Sequence, residues 1–212
     1  MIRILVVDDH TLVREGLCRL LENEEEIEVI GQTGMGREAV ALCRELKPDV
    51  VLLDYKLPDI DGLETTEQIV AMGLKTRVLI LTMYANEEYA IRLIRAGASG
   101  FLIKGAAANE LLEAVRKVYN RGTYISPAVL EKMTERIAQP REDAPEAALS
   151  NREMQVLVRL ARGESSREVS ENLCLSLSTV ETYRSRVLEK LSLRNNSDIT
   201  RFAIRRGLID LN

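Results

Sequence analysis

The first 121 residues alternate five times between short apolar segments and longer amphipathic segments. Short aliphatic runs are typical of strands, and apolar residues spaced three and four apart are typical of helices. The predicted strands are Ile2–Val7, Ile27–Gln32, Val50–Asp54, Arg77–Thr82 and Gly100–Ile103. The predicted helices are Leu12–Glu22, Arg37–Leu46, Leu63–Met72, Glu87–Ala96 and Asn109–Asn120. This alternation predicts an α/β domain with a doubly wound, five-stranded parallel sheet.

The alternation of strand-like and helix-like segments ends at about Arg121. A helical pattern near Pro127–Ile137 gives way to a polar, proline-containing stretch at residues 139–145 without periodicity. Only helical patterns follow: Asn151–Arg162, Ser166–Leu173, Thr179–Leu191 capped by Ser178, and Asp198–Arg206. Two short helices joined by a tight turn form a helix-turn-helix. We therefore predict a first domain at residues 1–121, a partly helical linker at 122–148 and a small all-α domain at 149–212.

Charge is distributed unevenly along the chain. Residues 149–212 carry 11 Lys/Arg against 8 Asp/Glu, a net charge of +3. The totals of 29 and 33 leave 18 against 25 for residues 1–148, a net charge of −7. The positive balance of the second part favours a polyanionic partner such as nucleic acid.

Other features exclude several classes of protein. No apolar run approaches the roughly 18 residues of a membrane span, and the N-terminus lacks a signal-peptide pattern, so we expect a cytoplasmic protein without a membrane partner. Three separate cysteines, Cys18, Cys43 and Cys174, are expected to pack as small hydrophobic residues. The single histidine, His10, is too few for a zinc site or a Ser/His/Asp hydrolase.

Polar residues stand at the carboxyl ends of the predicted strands. Asp8 and Asp9 follow the first strand, Asp54 ends the third, Thr82 ends the fourth and Lys104 follows the fifth. Each alone is equally compatible with a turn or a surface position. Ligands bind at this edge of open α/β sheets, so the carboxylates are expected to converge, and such a cluster suits Mg²⁺. Together the five provide what phosphoryl transfer to a carboxylate needs: a nucleophile, a metal, and donors for the phosphoryl oxygens.

Several motifs resemble those of the receiver domain of two-component response regulators, over residues 1 to about 121. They are Val7-Asp8-Asp9, Leu53-Asp54, Pro58-Asp59-Ile60-Asp61-Gly62, Leu81-Thr82 and Phe101-Leu102-Ile103-Lys104. The resemblance implies that Asp54 accepts a phosphoryl group from the phosphohistidine of a sensor histidine kinase. It also implies that Mg²⁺ is bound by Asp9, Asp54 and the backbone carbonyl of Lys56, with Asp8 acting through water.

The same resemblance implies that Thr82 and Lys104 hold the phosphoryl group and that Phe101 is a rotating aromatic switch. Two positions depart from the receiver pattern. Gly105 follows the lysine where many receivers have a proline, and Lys56 stands where small or amide residues are frequent.

The second domain resembles the LuxR-type helix-turn-helix through residues 148–157, 163–169, 177–183 and 188–191. With the receiver, the whole chain is similar to the NarL/FixJ family of response regulators. The residues predicted to face DNA are Thr179, Glu181, Thr182, Tyr183, Arg184, Ser185 and Arg186. The alternative for this helix is a solvated charged face.

Particular side chains of this helix suit particular DNA groups. Arg184 and Arg186 are suited to phosphates or guanine edges, and Glu181, which replaces the lysine common in the family, is suited to cytosine. Tyr183 also departs from the family pattern, which commonly has histidine. The final helix, with Ile199, Phe202 and Ala203, resembles the dimer-forming helix of these domains.

The main hypothesis is a transcription regulator rather than an enzyme. Phosphorylation of Asp54 is expected to pull Thr82 inward, let Phe101 rotate and change the surface around the fourth helix and fifth strand. Residues 150–212 are then released or two receivers pair, so that a homodimer binds promoter DNA, with RNA polymerase as a further candidate partner.

Two alternatives remain open at this point. One is a Mg²⁺-dependent aspartyl-phosphate phosphatase, although such enzymes usually have an acid two residues after the nucleophile, where this chain has Lys56. The other is a DNA-binding or protein-interaction module that needs no phosphorylation.

Overall fold

The computed structural model of the protein describes residues 1–83, 87–138, 145–173, 175–206 and 208–209. The chain divides into two compact units, Met1–Gln139 and Pro140–Asn212. The predicted non-periodic stretch falls mostly on residues 139–144, which lie outside the described residues, as does Cys174. No helix of the described chain is both long and apolar enough to cross a bilayer.

The first unit is a parallel sheet with helices on both faces. Its strands are β1 (Ile2–Val7), β2 (Ile27–Thr33), β3 (Val50–Asp54), β4 (Arg77–Thr82), β5 (Gly100–Ile103) and β6 (Tyr124–Ile125). Its helices are α1 (Thr11–Glu22), α2 (Gly36–Leu46), α3 (Gly62–Ala71), α4 (Glu87–Arg95), α5 (Ala108–Tyr119) and α6 (Pro127–Ala138). The strand order β2-β1-β3-β4-β5-β6 confirms the doubly wound parallel sheet.

The sixth strand differs from the five-stranded prediction. Tyr124 pairs with Gly100 and Ile125 with Phe101, so β6 covers the outer edge of β5. Ser126 N then donates a hydrogen bond to Phe101 O at 2.9 Å. Two residues are too few to show the alternation from which strands are predicted, and pairing with β5 stabilises the extended backbone here.

Two apolar cores flank the sheet because successive strand residues point to opposite faces. Val50 and Leu52 pack with α1 and α5, whereas Val51 and Leu53 pack with α2, α3, α4 and α6. With both faces covered, every residue of β3 is buried, including Asp54 at its end. Cys18 and Cys43 lie in these two cores, as predicted, and burial raises the pKa of the Cys43 thiol to about 12.

The second unit is helical. A short 3₁₀ turn (Pro145–Ala148) precedes α7 (Asn151–Ala161), α8 (Ser166–Asn172), α9 (Leu177–Lys190) and α10 (Asn196–Arg205). Ser150 and Ser165 form capping boxes with acids three residues later in α7 and α8. The predicted cap of α9 is wrong: Ser176, not Ser178, accepts from Thr179 N at 3.1 Å, so the helix begins two residues earlier.

Candidate functional site

Strand register brings the predicted polar residues to one edge of the sheet. Val7 pairs with Leu53 in β3, and Asp54 in turn pairs with Leu81 in β4. Thr82 pairs with Ile103, one residue before Lys104. The residues that follow these pairs therefore leave the sheet side by side.

Lys104 forms ion pairs with two buried carboxylates. Its Nζ lies 2.6 Å from Asp54 Oδ2 and 2.7 Å from Asp8 Oδ2, and the three side chains are 7%, 5% and 0% exposed, respectively. Burial disfavours the charge on Lys104, but the contacts with Asp54 and Asp8 outweigh that effect and raise its pKa. Burial raises the pKa of Asp54, and the contact with Lys104 offsets only part of this increase. The pocket thus retains an excess of acidic groups over cations.

Asp8, Asp9 and His10 complete the cluster. Asp8 Oδ2 is buried, and its neighbour is the Lys104 ammonium 2.7 Å away, which also contacts Asp54. His10 Nδ1 lies 2.7 Å from Asp9 Oδ1. One potential ligand atom from each of Asp8, Asp9, His10 and Asp54 lies within 4.8 Å of the others. The group has the donor atoms to hold a metal ion.

His10 was not among the predicted site residues, because a single histidine argued only against a zinc site or a Ser/His/Asp hydrolase. The residue directly follows Asp8-Asp9, and its backbone N donates to Asp8 Oδ1 at 2.9 Å. That adjacency was the available signal, because a side chain at the start of α1 lies near the carboxyl ends of the strands.

The loop after β3 is fixed by backbone hydrogen bonds. Tyr55 N donates to Leu81 O at 3.0 Å, and Gly62 N donates to Tyr55 O at 2.8 Å. Lys56 N donates to Asp54 Oδ1 at 3.3 Å, while its side chain is exposed. A Cβ on Gly62 would lie 2.8 Å from Tyr55 Cα and 2.9 Å from Asp54 O, so the close approach of the loop to the candidate acceptor requires glycine.

Asp59 anchors the same loop to α2. Its two carboxylate oxygens accept from Gly36 N and Arg37 N, each at 2.8 Å. Burial alone would raise the pKa of Asp59, but these backbone donors at a helix N-terminus lower it. From the sequence, Asp59 was recognisable only as part of a motif, and its partners were not predicted.

Thr82 and Phe101 occupy the positions expected from the strand pattern. Thr82 is buried at the end of β4, and its carbonyl accepts from Lys104 N at 2.7 Å. Phe101 is 1% exposed and belongs to the same apolar core as Val129 of α6. The segment of the chain that follows α5 therefore contributes to the core in which Phe101 is buried.

In the second unit, the predicted DNA-facing residues differ in exposure. Thr182, Ser185 and Arg186 are exposed, whereas Thr179, Glu181, Tyr183 and Arg184 are half-buried. Arg184 Nε donates to Asn196 Oδ1 at 2.8 Å, and its Nη1 lies 3.4 Å from Glu181 Oε2. The guanidinium of Arg184 is thus held between α9 and the start of α10.

The residues proposed for a dimer helix are buried within the second unit itself. Ile199, Phe202 and Ala203 are 0%, 7% and 0% exposed, and α10 packs against α7. These side chains stabilise the unit, so a dimer contact by α10 would have to use its other residues. The dimer role of this helix stays a prediction.

Comparison with known proteins agrees with this organisation. Residues 4–116 match the family of the response regulator receiver domain, and residues 147–203 match the bacterial regulatory proteins of the luxR family. The response regulator GacA of Pseudomonas aeruginosa is 40% identical over 211 residues, which cover 99% of both chains. The response regulator UvrY of Escherichia coli K12 is 39% identical over 209 residues, 98% of this chain and 96% of UvrY.

Solved structures share the fold. The response regulator ChrA of a haem-sensing two-component system is 31% identical over 98% of both chains, with a TM-score of 0.55. RcsB of Salmonella enterica bound to promoter rprA shares the fold, with a TM-score of 0.72 at 20% identity over 95% of this chain and 97% of RcsB. The chain therefore belongs to the NarL/FixJ family of two-component response regulators, in which a receiver domain is joined to a LuxR-type helix-turn-helix that binds DNA.

Proposed function

We propose that Asp54 is the phosphoacceptor of this response regulator and that its phosphorylation by a sensor histidine kinase controls promoter binding. The observation that carries the proposal is the Asp54 carboxylate, buried at the end of β3 with Oδ2 2.6 Å from Lys104 Nζ. After transfer, the Lys104 ammonium and the Thr82 hydroxyl supply donors for the phosphoryl oxygens. Family membership excludes the alternative of a phosphatase, since the family has a DNA-binding output and not a catalytic one.

The acidic cluster fits Mg²⁺. Asp8, Asp9 and Asp54 bring three carboxylates into one cluster, and the single ammonium of Lys104, which contacts Asp8 and Asp54, neutralises only part of their charge. These carboxylates, with the backbone carbonyl of Lys56, would hold the ion through hard oxygen ligands. Mg²⁺, when bound, neutralises the charge of the carboxylates and of the incoming phosphoryl group.

Phe101 links the phosphoacceptor edge to the segment after α5. Movement of Thr82 toward a phosphoryl group on Asp54 leaves space into which Phe101 rotates. Phe101 shares a core with Val129 and its backbone binds Ser126 N, so its rotation disturbs β6 and α6. This change would favour pairing of two receivers and binding of the dimer to adjacent half-sites.

The DNA-binding surface is the exposed side of α9. Thr182, Ser185 and Arg186 are available to DNA, and the N-terminus of the helix suits a backbone phosphate near Thr179. A protein that binds promoter DNA acts in the cytoplasm, where RNA polymerase is its natural further partner.

The test uses the untagged full-length protein with acetyl phosphate and Mg²⁺. Intact mass should show one stable phosphoryl group on the wild type and none on Asp54→Asn. Asp49→Asn, at the residue before the start of β3, is the matched control: the amide oxygen can still accept from Arg3 N, so this variant should be phosphorylated like the wild type. Equal labelling of Asp54→Asn would overturn the assignment of the acceptor.

The effect on DNA is measured separately, by selecting genomic fragments with each protein before and after phosphorylation. Phosphorylation should increase fragment binding by the wild type and by Asp49→Asn. If Asp54→Ala selects the same fragments with the same affinity as the phosphorylated wild type, the regulator works without phosphorylation.

A further inference from the structure

The only histidine of the chain stands beside the carboxylate cluster. His10 Nδ1 lies 2.7 Å from Asp9 Oδ1 and 3.4 Å from Asp8 Oδ1. Its side chain is 65% exposed, so the imidazole can turn without disturbing either apolar core. Asp9 is also partly exposed, whereas Asp8 and Asp54 are fixed by burial.

The separations among these groups are close to those of a coordination shell. One donor atom of each of Asp8, Asp9, His10 and Asp54 lies within 4.8 Å of the others. Ligands about 2.1 Å from an octahedral ion are about 3 Å apart when adjacent and about 4.2 Å apart when opposite. Because 4.8 Å exceeds the distance between opposite ligands, binding of an ion requires His10 and Asp9 to rotate inward, and both side chains are exposed enough to do so.

The charge of the cluster also favours a cation. The Asp8 carboxylate is fully buried, and the Lys104 ammonium lies 2.7 Å from its Oδ2. Carboxylates this close to one another repel unless cations neutralise them. The Lys104 ammonium is shared with Asp54, so it compensates the charge of Asp8 only in part.

We propose that His10 is a ligand of this metal site and that it makes the site selective for divalent ions that prefer nitrogen, such as Ni²⁺. The inference rests on the proposed metal site of the receiver. It adds a nitrogen ligand, His10, which decides which ion occupies the site. Mg²⁺ prefers oxygen ligands and gains little from an imidazole. Ni²⁺ lies higher in the Irving–Williams order and binds imidazole well, so His10 shifts the competition toward it.

The consequence is a competition at the phosphoacceptor. An ion held by His10 and Asp9 occupies oxygen atoms that Mg²⁺ needs for phosphoryl transfer to Asp54. The extent of phosphorylation then depends on the ratio of nitrogen-preferring ions to Mg²⁺, and His10 sets the ratio at which the exchange occurs.

The experiment measures metal binding by the untagged full-length protein in the absence of any phosphodonor. NiCl₂ is titrated by calorimetry, and MgCl₂ is titrated by following amide chemical shifts. The variants are His10→Ala, Asp9→Asn and the neighbouring exposed control Thr11→Ala. The Asp9→Asn variant reports whether Ni²⁺ occupies this cluster or some other group of the protein.

His10→Ala should weaken Ni²⁺ binding by at least about tenfold, since even groups behind the ligands contribute about 10- to 100-fold to metal affinity. Its Mg²⁺ affinity should stay within about twofold of the wild type, because magnesium gains little from nitrogen. Asp9→Asn should weaken both metals, and Thr11→Ala neither.

Unchanged Ni²⁺ affinity in His10→Ala would overturn the inference, and so would unchanged Ni²⁺ affinity in Asp9→Asn. If the wild type binds Ni²⁺ through His10 but shows no Mg²⁺ binding, the role of His10 stands and the proposed magnesium cofactor fails. The two proposals are therefore tested separately by the same titrations.

Discussion

The two units of the molecule build their candidate functional surfaces in different ways. In the receiver, the polar residues come from the ends of β1, β3, β4 and β5, and Asp8, Asp54 and Thr82 are buried. In the helix-turn-helix unit, the predicted DNA-facing residues lie within residues 179–186 of one helix and are exposed or half-buried. A site assembled from strand ends depends on the register and burial of the whole sheet, whereas a helix face can change without disturbing the fold.

The largest expected effect comes from removing the cation between the buried carboxylates. Lys104→Met leaves Asp8 and Asp54 without their shared ammonium, and breaking a buried ion pair costs about 3–5 kcal/mol. We expect the first unit to lose about 3 kcal/mol of unfolding free energy in the absence of Mg²⁺, as measured by urea unfolding followed by circular dichroism. Part of this loss should be recovered by protonation of the carboxylates at low pH.

Lys75→Met is the control, because this lysine is exposed at the opposite end of the sheet. Its unfolding free energy should stay within about 0.5 kcal/mol of the wild type. If Lys104→Met is as stable as this control, the buried ion pairs do not stabilise the receiver, and its site tolerates change as a helix face does.

The second prediction concerns the loop after the candidate acceptor. Gly62→Ala places a Cβ 2.8 Å from Tyr55 Cα and 2.9 Å from Asp54 O, and neither backbone atom can move independently of the strand. The rate of phosphorylation by acetyl phosphate should fall by about tenfold or more, since a shift of about 1 Å at a reacting group can cost about 100-fold.

Gly105→Ala tests whether any added methyl near the pocket has this effect. Gly105 adjoins Lys104, but a Cβ there meets no heavy atom within 4 Å beyond its chain neighbours. Its phosphorylation rate should match that of the wild type. Equal rates for Gly62→Ala and Gly105→Ala would show that the loop adjusts freely.

The third prediction concerns a buried charge in the helical unit. Glu153 is 2% exposed, accepts from Ser150 N at 2.7 Å and lies 2.7 Å from Lys190 Nζ. Glu153→Gln should destabilise the second unit by about 2 kcal/mol, as expected for buried hydrogen bonds to a charged group. Glu168→Gln removes the equivalent capping-box acid of α8, which is exposed, and calorimetry should show a smaller decrease in melting temperature.

Glu153 also makes the stability of the helical unit depend on pH in the acidic range. Burial alone would raise the pKa of Glu153, but the bonds from Lys190 and Ser150 lower it below the ordinary value of 4.5. Because the pKa is lower in the folded state, the stabilisation is complete above pH 4.5 and is lost as the pH falls through the folded-state pKa. In that acidic range the wild type should lose stability more steeply than Glu153→Gln, and parallel curves would contradict the lowered pKa.

The smallest expected effect on stability is at the DNA-facing side of α9. Arg186→Ala removes an exposed guanidinium, so the melting temperature should stay unchanged while the slope of log affinity against log salt decreases by about 1. Arg184→Ala also removes the bond to Asn196 and should lower the melting temperature slightly. A salt slope unchanged by Arg186→Ala would remove this residue from the DNA contacts.

Sequence patterns predicted the sheet and its polar edge well, because both depend on the order of elements along the chain. Asp54 and Lys104 meet because parallel strands end at the same edge, whatever lies between them in sequence. Individual partners were less predictable. Ser178 was predicted as the cap of α9, but Ser176 also has a hydroxyl, and only backbone geometry selects Ser176 over Ser178. The tether between Arg184 and Asn196 depends on the packing of two helices, for which the sequence has no local signal.

The short strand β6 has a practical consequence for chimeric regulators, in which receivers and output domains of relatives are exchanged. A junction at Arg121 would leave behind Tyr124 and Ile125, which cover the edge of β5, and Val129, which belongs to the same apolar core as Phe101. The exposed edge of β5 would then favour aggregation. A junction near Gln139 transfers the complete sheet. Hybrid proteins made with this junction should therefore stay in the soluble fraction when they are expressed.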